Sequence, residues 1–164
     1  MISQSIEKDQ IILFDSIGEY VEFSMDVDRY ISSEQNLSQE VFELKDSILQ
    51  ARKKREKLNR FVIISDLQLF LSDSQISDND FAMIYEEGQR VGIHFILSTH
   101  KNFFTASTTM SKYVKERIDI GIIAQKMGDQ TVFARSSFAR EENFNVDEVY
   151  FHFKDIQTKM KITK

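Results

Sequence analysis

Two short apolar runs end in residues able to handle a charged ligand. Arg60-Phe61-Val62-Ile63-Ile64-Ser65 delivers Asp66, and Gly92-Ile93-His94-Phe95-Ile96-Leu97-Ser98 delivers Thr99 and His100. A carboxylate at the end of a buried strand can hold the magnesium of a nucleotide, and a polar side chain at the end of the next strand can sense its terminal phosphate. Each residue also has a plainer reading. Asp66 could bond the amides of the loop that follows it, and Thr99 and His100 could simply finish a strand in polar residues. His94 follows strand alternation and reads as an interior histidine. Arg117 could act as an arginine finger toward a neighbouring module or form a surface salt bridge. Asp15, Glu19 and Asp66 form an acidic metal cluster only if their strands are adjacent. His94, His100 and His152 lack ligand spacing, so no zinc site is expected.

Phosphoryl transfer needs more than a magnesium ligand. A phosphate-cradling loop uses glycines so that successive N–H groups face one anion, followed by Lys and Ser or Thr for the terminal phosphates and the metal. The five glycines, Gly18, Gly88, Gly92, Gly121 and Gly128, are followed by Glu, Gln, Ile, Ile and Asp. No Gly-Lys dipeptide exists, so the sequence contains no Walker A element. Asp66 is followed by Leu67 rather than by a carboxylate that could polarise an attacking water. Neither hydrolysis by this chain alone nor tight nucleotide binding is expected; ATP and magnesium enter only if a longer parent chain supplies the loop.

The elements that must position these residues follow from periodicity. Both organising runs are β-branched and aromatic, as in parallel strands buried on two faces. Between them, Ser77-Asp78-Asn79-Asp80 opens a helix with Phe81, Ile84, Tyr85, Gly88 and Val91 on one face. Phe61 to His100 is therefore a strand-helix-strand crossover. Upstream, Ile11-Ile12-Leu13-Phe14 predicts a first strand, Tyr20-Val21-Glu22-Phe23 a possible hairpin partner for it, and 26–36 a loop. A long helix over 38–58 carries Leu37, Val41, Leu44, Ile48 and Ala51 inward. Downstream, the pattern predicts a weaker helix over 105–117, a strand over 118–124 that, interrupted by Asp119, either lies near a sheet edge or begins only at Ile120, and a short helical or strand segment over 131–134. A closing hairpin joins Val149–Phe153 to Thr158–Ile162 through Lys154-Asp155. Leu67, Leu69, Phe70 and Leu71 form an apolar knot, a loop or short helix at the sheet edge.

Length and composition bound the rest. At 164 residues and 41% hydrophobic, one core and one domain over 1–164 are expected. The net charge of −5 is uneven: residues 1–50 carry 3 basic and 11 acidic side chains, whereas 51–60 carry 6 basic and 1 acidic. The cluster Arg52, Lys53, Lys54, Arg55, Lys57 and Arg60 reads as a solvated helix end that complements the dipole, ahead of a nucleic-acid patch. Cys is absent, so there are no disulfides or thiolate metal sites. With no leader and no apolar run near the length of a membrane span, a cytoplasmic setting is expected, with any membrane link made through a parent protein.

The segment Glu87-Gly88-Gln89-Arg90-Val91-Gly92-Ile93-His94-Phe95-Ile96-Leu97-Ser98-Thr99-His100-Lys101 resembles FtsK/SpoIIIE-type ATPases, in which a Gly-Ile-His triplet opens a strand ending in a polar sensor. Lys115 to Ile123 resembles the next strand of that family, Asp129-Gln130-Thr131-Val132-Phe133 its following helix start, and Val149 to Ile162 its terminal hairpin. Closest in character is the divergent C-terminal ATPase module of type VII secretion motors. The resemblance implies an α/β, three-layer RecA-like P-loop NTPase fold. It has a mainly parallel sheet and a C-terminal hairpin, with the first strand and phosphate loop missing or degenerate. Asp66, Thr99 and His100 would be its vestigial Walker B and sensor positions, and Arg117 an inter-module contact. Partners would be other ATPase modules of the same motor and small helical secreted proteins. Phe70, Leu71, Phe103 and Phe104, which follow the two organising strands, are the expected partner-binding residues, with the core as their alternative. The function this implies is a non-hydrolysing, degenerate ATPase-like module of a type VII secretion motor, serving substrate docking or motor regulation, with two rivals, an ATPase whose P-loop lies upstream and a DNA-translocase fragment. The acidic balance makes nucleic acid the less expected partner.

Overall fold

The structure, a computed structural model, describes residues 10–33, 35–124, 145, 147–153 and 156–162. A single domain is expected over 1–164; by its contacts the chain divides into two compact units, residues 1–100 and 101–164.

The first unit is built on four parallel strands: β1 (Ile11–Asp15), β2 (Arg29–Ser32), β3 (Arg60–Ile64) and β4 (Ile93–Leu97), in the order β2-β1-β3-β4. Parallel neighbours need crossovers, and two of these are helical. The helix α1 (Leu37–Lys54) joins β2 to β3, and α2 (Leu67–Ser74) with α3 (Asp78–Arg90) joins β3 to β4. The register places Val62 beside Ile12 and Phe95, and Ile64 beside Phe14 and Leu97. That face meets the helices: the Phe70 ring of α2 lies edge-on to Phe14 at 5.1 Å and to Phe81 of α3 at 6.4 Å. On the other face, Ile11 and Leu13 are buried with Val27, and Tyr30, Phe61 and Ile63 pack against them.

Local sequence explains the helices. Asn36 caps α1 by accepting from the Gln39 amide at 3.2 Å, and the stripe Leu37, Val41, Leu44, Ile48 and Ala51 is buried as its spacing requires. The helix stops at Lys54, four residues before the expected end at Leu58. Arg55 turns left-handed (φ 58°), and the amides of Leu58 and Arg60 donate to the carbonyls of Val91 and Gly92 instead of continuing the helix. Ser77 caps α3 as expected, its hydroxyl accepting from the Asp80 amide. Gly88 lets α3 close on β4: a Cβ there would lie 2.9 Å from the Phe95 ring. Gly92, at φ +85°, makes the turn into β4.

Three expectations fail here. Tyr20–Phe23 does not pair with β1; Val21–Phe23 is a 3-10 turn, and Arg29–Ser32, expected within a loop, is the strand that flanks β1 in parallel. The Asp15 carboxylate draws in the amides of Gly18 and Tyr20 and curls the chain, and the Phe23 amide donates to the Tyr20 carbonyl, so neither residue offers a ladder. His94 is not interior. It is exposed on the face opposite the helices, stacked on Phe61 with ring centroids 5.0 Å apart.

The second unit contains α4 (Lys101–Thr105), α5 (Thr109–Arg117) and an antiparallel sheet of β5 (Ile120–Ala124), β6 (Glu148–Phe153) and β7 (Ile156–Lys161), ordered β5-β6-β7. Thr108 caps α5 through the Ser111 amide at 3.1 Å. β5 begins at Ile120 and is an edge strand, and β6 with β7 forms the expected closing hairpin. The segments 129–134 and 154–155 lie outside the described residues. The fold is thus α/β, with a mainly parallel central sheet and a C-terminal antiparallel hairpin.

Candidate functional site

The C-terminal ends of β1, β3 and β4 hold the polar residues singled out by the sequence, tied together by backbone. The Ser65 amide donates to the Phe14 carbonyl, the Ser98 amide to Ile64, and the Leu67 amide to Ser98, each at 2.8–2.9 Å.

Asp66 is extended (φ −140°) and caps α2, accepting from the Leu69 amide at 3.1 Å. A carboxylate here satisfies one of the open donors of a helix start and meets its positive end. Thr99 follows β4; its hydroxyl oxygen is buried and has no hydrogen-bond partner among the described residues, whereas His100 beside it is exposed. A buried hydroxyl without a partner costs free energy, which marks the end of β4 as a place where a polar group would be welcome.

The best-built group on this edge is Asp15, which sequence reasoning weighed only as a conditional metal ligand. It is fully buried on the face away from the helices. One carboxylate oxygen accepts from the Tyr20 amide at 2.8 Å and the Tyr30 hydroxyl at 2.7 Å; the other accepts from the Gly18 amide at 3.1 Å and the Ser65 hydroxyl at 3.2 Å. Burial pushes its pKa up, but the bonds from Tyr30, Tyr20, Ser65 and Gly18 outweigh burial and hold it below the ordinary value. The signal in sequence was an Asp closing an apolar strand with Gly three residues on. Its role is to hold the 16–28 loop, and with all four bonds made it has little left for a metal. Glu19 is exposed, and no group of three potential ligands that could hold a metal exists among the described residues. Asp66 by itself does not make a magnesium site, so the residues present do not fit a nucleotide-bound metal unaided.

The expected docking residues divide. Phe70 is core, buried between Phe14 and Phe81, and Phe103 is buried with its ring edge-on to Phe104 at 5.2 Å. Phe70 is therefore part of the core of the first unit rather than of an open patch, because its ring, three residues after the buried Leu67, is closed in by Phe14 and Phe81. Leu71 and Phe104 are half-buried. Arg117 lies over the Tyr113 ring at 3.8 Å and pairs with Glu116 at 3.8 Å, so its guanidinium is engaged locally within the second unit.

No family model matches the chain. Its sequence is 26% identical over 145 residues to the type VII secretion system protein EssC of Staphylococcus aureus (strain MRSA252), covering 86% of this chain and 10% of that protein. The chain thus spans about a tenth of the curated relative it matches. Among solved structures, it resembles EssC (ATPases 2 and 3) from Geobacillus thermodenitrificans with a TM-score of 0.76 at 19% identity, covering 96% of this chain and 32% of that one. The cytoplasmic domain of EssC gives 0.70 at 17%, covering 99% and 35%. The cytoplasmic domain of the Thermomonospora curvata type VII secretion ATPase EccC gives 0.67 at 13%, covering 99% and 21%.

Proposed function

From the premise that this chain resembles EssC in sequence and has the fold of EssC ATPase modules, we propose that it works as a non-hydrolysing module of a type VII secretion motor. We treat residues 1–164 as one such module, docking beside other ATPase modules of the motor and engaging small helical secreted proteins. Its place is cytoplasmic, at the inner face of the membrane through a longer parent protein. No helix among the described residues is long and apolar enough to cross a membrane.

One observation carries the non-hydrolysing reading: the strand-end acid is spent on structure. Asp66 caps α2, the residue after it is the buried Leu67 rather than a carboxylate, and no Gly-Lys dipeptide occurs anywhere in the chain. Without loop amides, lysine and catalytic carboxylate, most of the charge stabilisation that phosphoryl transfer depends on is missing. Calorimetric titration of the chain with ATP and magnesium should show no binding, and phosphate release should equal the buffer blank. A dissociation constant in the low micromolar range or better refutes this reading.

A second reading is favoured by Thr99. Its buried hydroxyl, unpartnered among the described residues, stands at the end of β4, an edge strand of the four-stranded sheet, where a phosphate loop from outside this sequence would supply a partner. The two readings separate on one measurement, ATP hydrolysis by the parent protein with Thr99→Ala and Asp66→Asn. Loss of turnover in both variants favours the second, and unchanged turnover the first.

A further inference from the structure

Two surfaces of the first unit expose apolar side chains, and their charges are opposite. The first is the connection from β1 to β2. Ile17, Tyr20, Val21, Phe23 and Met25 are exposed within nine residues, Val21 at 60% and Met25 at 77%. The segment is held in place: Asp15 takes the Gly18 and Tyr20 amides, and the amides of Phe23, Ser24 and Asp26 donate to the carbonyls of Tyr20, Val21 and Phe23. A patch ordered before its partner arrives loses little conformational freedom on binding. Its charge has one sign. Glu19, Glu22, Asp26 and Asp28 are exposed, no Lys or Arg occurs in 16–28, and the next cation, Arg29, is engaged by Glu40 and Glu43. None of the four acids is ion-paired among the described residues.

The second surface is the outer stripe of α1. Phe42 (63% exposed) and Leu49 lie seven residues apart on one face, and Lys53 continues it one turn on. Beyond them lies the basic end of the helix. Arg52 is engaged by Glu87 and Lys57 donates to the Arg90 carbonyl, but Lys53, Lys54 and Arg55 make no ion pair among the described residues. From Phe42 to Leu58 the acids are Glu43, engaged by Arg29, Asp46, which lies between Phe42 and Leu49 on the same face, and Glu56, so the positive charge is confined to the C-terminal end of the stripe.

We propose that the acidic, apolar 16–28 loop of one copy docks on the outer face of α1 of a second copy, Val21 and Phe23 against Leu49 and Phe42, with Glu19 and Glu22 facing Lys53 and Lys54. The occupant is a second copy because both halves of the complement are present in this chain. Loop against loop, or helix end against helix end, would bring like charges together. The two surfaces differ, so the contact is head-to-tail, and each copy can pass it on to the next.

Sedimentation velocity on the 164-residue chain tests this, with two variants at exposed positions: Val21→Ser with Phe23→Ser on the loop, and Phe42→Ser with Leu49→Ser on the helix. Thermal melts establish that both fold. The unaltered chain should gain mass with concentration, passing beyond a dimer at low salt and falling back as salt screens the charges. Each variant alone should associate at least roughly tenfold more weakly. An equimolar mixture of the two should form a heterodimer and nothing larger, because it contains one intact loop-to-helix contact. A chain that stays monomeric at all concentrations, an association that either variant leaves unchanged, or a mixture that stays monomeric overturns the proposal.

Discussion

Replacing Asp15 with Asn tests the account of the sheet edge most directly, because it keeps the shape of the side chain and removes only its charge and one acceptor. In the native chain each carboxylate oxygen takes one backbone amide and one hydroxyl: Tyr20 and Tyr30 on one, Gly18 and Ser65 on the other. Whichever way the Asn amide is turned, its NH2 faces one of the two backbone amides, which cannot change from donor to acceptor. The hydroxyls of Tyr30 and Ser65 can rotate and accept. The variant therefore loses one hydrogen bond to a charged group outright, leaves a part-buried N–H unsatisfied and weakens the remaining bonds. With such bonds contributing about 1.5–3 kcal/mol each, the net cost should be about 2–4 kcal/mol. At about 2–4 °C per kcal/mol for a chain of this length, the melting temperature of the chain should fall by roughly 4–16 °C. The acid limb supplies a second readout. Asp15 has a folded pKa below its ordinary value of 3.8, so its contribution is present above that value and is lost as pH falls through 3.8 toward the folded pKa. The gap between native chain and Asp15→Asn should therefore be full at neutral pH and close as pH falls below 3.8. Circular dichroism melts across pH, with amide exchange at Gly18 and Tyr20, read both effects. An Asn variant with an unchanged melting temperature and an unchanged acid limb refutes the assignment of Asp15 as the clamp of the 16–28 loop.

Other perturbations follow from the packing. Gly88→Ala places a Cβ 2.9 Å from the Phe95 ring, so the ring must move; despite the better helix propensity of Ala, the urea midpoint should fall, by about 1–2 kcal/mol of stability. Val62→Asp buries an unpaired charge at the centre of β3 and should cost several kcal/mol, whereas Lys54→Ala on the exposed end of α1 should change stability by less than about 0.5 kcal/mol. Equal shifts in the denaturation midpoints of that pair would show that the core is misplaced. Ser77→Ala removes the cap of α3 and should cost about 1 kcal/mol, with faster amide exchange at Asp80 as the local signature.

Features that depend on contacts between near neighbours are legible in the order of the residues. The stripe from Leu37 to Ala51, the Ser77 cap, the tight glycines at 88 and 92 and the runs ending in Asp66 and Thr99 are readable because helical and strand periodicities record which face of an element is buried. The absence of a Gly-Lys dipeptide is likewise a property of the sequence alone. Tertiary structure decided the rest. Arg29–Ser32 carries no apolar run and becomes a strand only because β1 lies beside it with an open edge. Helix α1 stops at Lys54 because the amides of Leu58 and Arg60 find carbonyls more than thirty residues away. Alternation along β4 could say that His94 and Phe95 face opposite ways, but not which of the two would meet the helices. Phe70 looked free to bind a partner until the rings of Phe14 and Phe81, distant in sequence, closed around it. Asp15 is the clearest case: its four donors come from residues 18, 20, 30 and 65, and only the folded chain brings the last two to the carboxylate that they hold ionised.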